Sequence, residues 1–316
     1  MWVKNTINIV DINIDYLRTH SAIPFTLNKF IKKDQEVYSW SATERFYPEA
    51  MQGDNNKQLR IDYFMNNVKT VGLDELVMAD QPKGDNICHE LTFEELSSYF
   101  DSDKYKKEGT IWNIEKKYTA LFMTKETHDR IKEKYNRSVS LVFPVADCAA
   151  VRYYDKEKEV VGLVHSDGYF TGQNIANDMT KFMNDHFHSN TNDIEVFVGA
   201  FANDNWIYDK KPVWAINKDN DGNFLSYRGE WDKYIDEISE NKYEIHYGDY
   251  LYNQIVNSGI DKKNVFFDPN NTIFNKNYFS NSRAKTTNEK EGRNLVGITF
   301  DKEIVNKVEN TEIKLR

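Results

Sequence analysis

The chain has 316 residues, 40% hydrophobic and 14% aromatic, enough to bury a sizeable core in one large domain. Acidic residues outnumber basic ones by 50 to 41, a formal charge of −9, so a binder of duplex nucleic acid is not expected. A mean hydropathy of −0.72 and evenly spread charges leave no apolar stretch long enough to span a bilayer.

The start, Met1-Trp2-Val3-Lys4-Asn5 followed by Asp11 and Asp15, lacks the basic and apolar regions of a secretory leader. Two cysteines, Cys88 and Cys148, make no disulfide framework. A cytoplasmic protein is the expectation. Six prolines and 14 glycines are scattered without a linker or repeat, so residues 1–316 read as a single domain. Residues 1 to about 60 read as an N-terminal extension or lid, and about 100–118 as a solvated surface insertion.

The patterned elements follow. Ser138 to Val145 is a buried strand, Ala149 to Tyr154 its neighbour or continuation, and Val160 to Val164 another strand beyond a charged turn, Asp155-Lys156-Glu157-Lys158-Glu159. Ile175, Met179, Phe182 and Met183 recur at helical spacing to about Phe187. Glu195 to Val198 is a strand, and Tyr250 to Val256 a helix stopped by Gly259. Strands and helices alternate, which predicts a mixed α/β fold with a mixed sheet flanked by helices.

Ala146-Asp147-Cys148 ends one strand and Val164-His165 ends another, 17 positions apart. A strand, a charged turn and a returning strand bring Cys148 and His165 to one sheet edge, within reach of one metal ion or of each other as nucleophile and base. His89, His128, His186 and His188 read as surface or satisfied histidines.

The order of these pieces resembles the laccase-domain family, also called YfiH-like or multicopper polyphenol oxidase proteins, which is associated with purine nucleoside phosphorylase activity. Ala146-Asp147-Cys148 and Val164-His165 match its Ala-Asp-Cys and Val-His at the same separation. Val198-Gly199-Ala200-Phe201-Ala202 echoes its Gly-Pro-rich segment, and Tyr247 to Gly259 its late helix. Tyr278-Phe279-Ser280-Asn281-Ser282-Arg283 with Glu291-Gly292-Arg293 looks like its late arginine motifs, and Gln81-Pro82-Lys83-Gly84 like its Gln-x-His-Gly. The likeness runs from about Arg60 to Phe300.

It implies a zinc-binding or catalytic set of two histidines and a cysteine, of which the first histidine is here Lys83. Zinc would therefore have an incomplete ligand set, Cys148 and His165, unless His89 or His246 replaced the third ligand. The family's Ala-Gly-Trp-Arg-Gly reads Ser166-Asp167-Gly168-Tyr169-Phe170, so its arginine is gone. Gln81, Lys83, Arg283 and Arg293 remain as candidate substrate-binding residues for an anionic ligand.

Three functions follow from the resemblance and the residues. The first is a purine-nucleoside-processing enzyme, by phosphorolysis, hydrolysis or deamination of adenosine- or inosine-like substrates at Cys148 and His165. The second is a metal-free Cys-His hydrolase or deamidase, by fold-level analogy with the cytotoxic necrotizing factor deamidases. The third is a catalytically degraded protein that binds a nucleoside or nucleotide to sequester or sense it.

Overall fold

A computed structural model describes residues 2–3, 25–32, 35–43, 75–80, 87–103, 111–203, 206–276, 278–287, 289 and 293–300. Its strands in chain order are β1 (Trp2–Val3), β2 (Phe25–Lys32), β3 (Gln35–Thr43), β4 (Glu75–Asp80), β5 (Cys88–Glu90), β6 (Ile111–Lys117), β7 (Ala120–Thr124), β8 (Val139–Val145) and β9 (Ala149–Asp155). There follow β10 (Val160–Ser166), β11 (Ile194–Val198), β12 (Trp206–Tyr208), β13 (Ile216–Lys218), β14 (Phe224–Tyr227), β15 (Ile235–Ser239), β16 (Lys242–Ile245), β17 (Val265–Phe267) and β18 (Asn294–Thr299). The helices are α1 (Phe93–Phe100), α2 (Lys125–Tyr135), α3 (Gly168–Gly172), α4 (Ile175–Phe187), α5 (Tyr247–Asn257) and α6 (Asn281–Thr286).

A seven-stranded mixed sheet runs β1-β2-β3-β18-β8-β4-β6, and a six-stranded mixed sheet runs β17-β11-β9-β10-β7-β5. Their inner faces meet in a core that includes Leu141, Phe143, Val296 and Ile298 from the first sheet and Leu121, Ala150, Tyr154 and Leu163 from the second. The alternate residues of the second sheet, among them Phe122, Val151, Val164 and Val196, face the other way. There they pack on Met179 and Met183 of α4 and Leu251 and Ile255 of α5. Because β9 and β10 are covered on both faces, every residue of both strands is buried, which is why they are mostly apolar without a strict alternation.

Local chemistry ends the helices as expected. Thr92 and Thr124 cap α1 and α2 by accepting the amides of Glu95 and Thr127. Asn136, at φ 53°, ends α2, and Gly259, at φ 98°, follows α5.

The sequence reading places β8 to β11 and α4 within a residue or two, and α5 is longer at both ends than the apolar run suggested. Three expectations change. Within the supposed insertion at 100–118, Ile111–Lys117 is the edge strand β6, paired parallel to β4, where one-sided pairing tolerates its charges. Within residues 1–60, the described β2 and β3 form a hairpin of the large sheet, with β3 paired to β18, so these two segments are sheet. Third, β9 and β10 are the two central strands of their sheet, so Cys148 and His165 lie at strand ends and not at a sheet edge.

Gly162 in β10 lies opposite Phe122 of β7. A Cβ there would sit 2.4 Å from a carbon of the Phe122 ring, which is itself buried. Gly162→Ala is therefore expected to cost about 1–3 kcal/mol, read as a lowered denaturation midpoint. An unchanged midpoint would mean the ring moves aside without cost.

Candidate functional site

The crossing from β8 to β9, Ala146-Asp147-Cys148, carries the chain from one sheet to the other. Asp147, only 6% exposed, ties this crossing to three other segments. Its carboxylate accepts the Thr272 hydroxyl at 2.9 Å and the Ser282 amide, in the first turn of α6, at 2.6 Å. Its backbone carbonyl accepts the Ala202 amide at 3.0 Å. Asn294, the first residue of β18, continues the bracket by donating to Phe279 O at 3.0 Å and accepting the Phe279 amide at 3.0 Å.

These segments open onto a cavity of about 290 Å³. Cys148, His165, Asp147, Asp167 and Arg293 line it on one part, and Trp206, Tyr208, Trp214 and Tyr247 supply aromatic lining. Cys148 and His165 thus line one cavity. In β10, His165 points to the inter-sheet core like Leu163, with its ring 6.0 Å from that of Phe143. Tyr247 of α5 anchors its hydroxyl on Ser166 O, and Trp206 and Trp214 stack at 5.5 Å and 15°. Sequence reasoning missed these aromatics. Their signal was a density of Trp and Tyr between 206 and 250, in short elements without a clear period.

Burial governs the electrostatics. It pushes the Cys148 thiol up, Asp167 and Asp147 push it further, and Arg293 only partly opposes them. Burial, assisted by Arg293, drives His165 down to about 3. Burial also raises Asp167, against the Phe170 and Tyr169 amides that it caps at the start of α3 and the nearby Arg228 charge. At neutral pH the site therefore holds a protonated thiol and an uncharged imidazole beside one guanidinium.

The other candidates fall elsewhere. Gln81 and Lys83 lie outside the described residues, so the expected loop facing Cys148 does too. Arg283 does not line the cavity. It spends its guanidinium on the carbonyls of Thr272, Ile273 and Tyr278 and on Glu289, which makes it a tether of the α6 loop rather than a substrate contact. His89 stacks on Tyr118 at 4.2 Å and bonds Glu95, and His246 bonds Asp236, so neither replaces the third zinc ligand at the cavity. His128 bonds Asp129, His186 bonds Glu90, and His188 ends α4.

A metal finds a poor donor set here. Among the described residues no three His, Cys, Asp or Glu side chains gather closely enough to hold an ion. Both Asp147 oxygens are committed to the bracket, and Arg293 adds a positive charge beside Cys148 and His165. The described residues do not fit zinc or a multi-copper cluster.

A family model described as multi-copper polyphenol oxidoreductase laccase matches residues 110–301, more than half of the chain. The chain belongs to that family. No curated protein sequence matches this laccase-domain chain. Three solved structures share its fold. Bacillus licheniformis hypothetical protein YfiH is 18% identical, with a TM-score of 0.57, covering 89% of this chain and 97% of that one. YlmD from Geobacillus stearothermophilus is 15% identical at 0.54, covering 88% and 92%. Neisseria meningitidis protein NMB0706, of family DUF152, is 15% identical at 0.56, covering 88% and 99%. No helix among the described residues is long and apolar enough to cross a membrane.

Of the five positions at which Ser166 to Phe170 differ from the motif they resemble, two bear on the cavity wall. Where the resemblance has tryptophan and arginine, this chain has Gly168 and Tyr169. Trp214 packs over Gly168, and the Arg228 guanidinium lies 4.0 Å from the Tyr169 ring centre.

Because the Cys148 proton is held by burial and two carboxylates, its alkylation by iodoacetamide should need a more alkaline pH than a free thiol needs. At pH 8 the native protein should react far more slowly at Cys148 than the urea-unfolded chain. Equal rates, measured by mass spectrometry of the Cys148 peptide, would contradict the assigned environment.

Proposed function

We propose that the cavity binds a purine nucleoside and cleaves its base–sugar bond by phosphorolysis. The observation that carries this reading is the meeting of an aromatic wall, Trp206, Tyr208, Trp214 and Tyr247, with one guanidinium, Arg293, in a cavity of about 290 Å³. Aromatic faces favour a flat heterocycle, and a base stacked on an aromatic side chain contributes about 1–3 kcal/mol. A guanidinium in a partly dry cavity favours a phosphate oxygen pair.

In the reaction a phosphate oxygen forms a bond to the anomeric carbon as the bond from that carbon to the base nitrogen breaks. The bonding pair leaves with the base, and the base gains the proton that phosphate gives up. The products are a free purine and a sugar 1-phosphate, with no change of oxidation state. Positive charge grows on the sugar in passing, and phosphate held by Arg293 opposes it. Asp167, raised by burial, is suited to pass the proton to the leaving base, and Cys148 and His165 line the cavity as neutral hydrogen-bonding groups.

The thiolate hydrolase or deamidase reading has less support. It requires a Cys148 thiolate and a His165 base, and burial favours the opposite protonation state of one and a very weak base in the other. The same neutrality favours the binding-only reading as the second choice, since a site without a strong nucleophile or base can hold a nucleoside without turning it over.

Purified protein incubated with inosine or adenosine should release free base at a rate that rises with phosphate concentration. Arg293→Gln should raise the KM for phosphate by about tenfold or more, the loss of one charge-assisted contact, and Cys148→Ala should lower turnover with the fold intact. Release independent of phosphate would replace phosphorolysis by hydrolysis, and ammonia without base release by deamination. No product, with a melting temperature raised by either nucleoside, would leave the binding-only reading.

A further inference from the structure

Much of the cavity's aromatic wall comes from one excursion of the chain, residues 206–231, that projects over α3. Within it Trp214 depends on an empty position. A Cβ at Gly168 would lie 2.3 Å from an atom of the Trp214 ring, so a side chain at 168 and this indole exclude one another. Trp214 also meets Trp231 edge-on at 5.0 Å, and Trp231 donates its indole N–H to Gly168 O at 2.9 Å. The indole is thus built in from three directions, by Gly168, Trp206 and Trp231, while still lining the cavity.

Arg228 holds the backbone that carries this indole. Its Nε donates to Trp214 O at 3.3 Å, its Nη2 to Ile216 O at 3.0 Å, and its amide to Ala215 O at 2.7 Å. The guanidinium stacks on Tyr169 of α3. Its aliphatic stem fills the space over Gly172, where a Cβ would come within 2.9 Å of it. Arg228 therefore joins the Trp214 segment to α3 while not itself lining the cavity. A lysine cannot reproduce two carbonyl bonds and a planar stack at once.

We propose that Trp214 is the specificity-determining residue of the cavity, setting the size of the flat ring it admits, and that Arg228 is the positioning residue that holds it there. The proposal rests on the reading of the cavity as a purine-nucleoside site. Removal of the indole enlarges the cavity, so it weakens a purine-sized ring and makes room for a larger one.

The test uses the full chain and two probes, adenosine and an adenosine bearing a benzyl group on its exocyclic amine, with dissociation constants from calorimetry. Trp214→Ala should weaken adenosine by about tenfold, within the range for loss of one stacking partner, and reduce or invert the preference for adenosine over the bulky analogue. Trp214→Phe, which keeps a smaller ring, should fall between and guards against a variant that simply fails to fold. Arg228→Gln and Arg228→Lys should both weaken adenosine several-fold. Both should also diminish the exciton couplet of the stacked Trp206–Trp214 pair in circular dichroism, with helix content unchanged.

An unaltered preference in Trp214→Ala, or an intact couplet with unaltered affinity in Arg228→Gln, overturns the proposal while leaving the nucleoside reading in place. A wild type that binds neither probe overturns the nucleoside reading and ring selection by Trp214 together, and the couplet alone then decides whether Arg228 is the clamp.

Discussion

One carboxylate makes the rest of the site possible. Asp147 stands where the chain leaves one sheet for the other, and its two oxygens and its carbonyl hold Thr272, Ser282 and Ala202. A charged acceptor with neutral donors contributes about 1.5–3 kcal/mol per bond, and here the bonds also fix where three loops meet. The Cys148 position, the α6 loop and the floor of the cavity are consequences of that junction. The aspartate of Ala-Asp-Cys, read from sequence as a neighbour of the reactive residue, is the residue that assembles its surroundings.

The second constraint is desolvation. Two packed sheets and the Trp-rich excursion leave Cys148 and His165 in a poorly hydrated space, and an apolar setting favours the neutral form of both. A thiolate–imidazolium pair would need the opposite of both. The cavity instead offers flat apolar faces, the neutral Cys148 and His165, and the Arg293 guanidinium, with Asp147 turned to the bracket and Asp167 to the start of α3, a combination suited to a ligand that is part aromatic ring and part anion.

How far the sequence disclosed this depends on how local the determining physics was. The β9–β10 hairpin and α4 were legible because burial on both faces and a 3.6-residue period write themselves into neighbouring residues. That Cys148 and His165 reach one end of the same hairpin was legible for the same reason, and there both line the cavity. The hairpin Phe25–Thr43 was not, because its place beside β18 depends on contacts some 250 residues away. Nor were Trp206, in a strand of three residues, and Trp214, in a single 3-10 turn, whose ring occupies space that a side chain at Gly168 would fill. Arg283 misled in the other direction. An arginine in a loop motif suggests an anion contact, yet three backbone carbonyls claim this one.

The central claim is that Asp147 holds the site together, and amide hydrogen exchange at Ser282 tests it most directly. Ser282 is half-exposed and its amide sits in the first turn of a six-residue helix, where no intrahelical acceptor exists and exchange would ordinarily be fast. The account predicts marked protection of this amide in the wild-type protein and its loss in Asp147→Ala, with β9 and β10 still protected. Rapid exchange at Ser282 in the wild type, or protection that survives in Asp147→Ala, would contradict it.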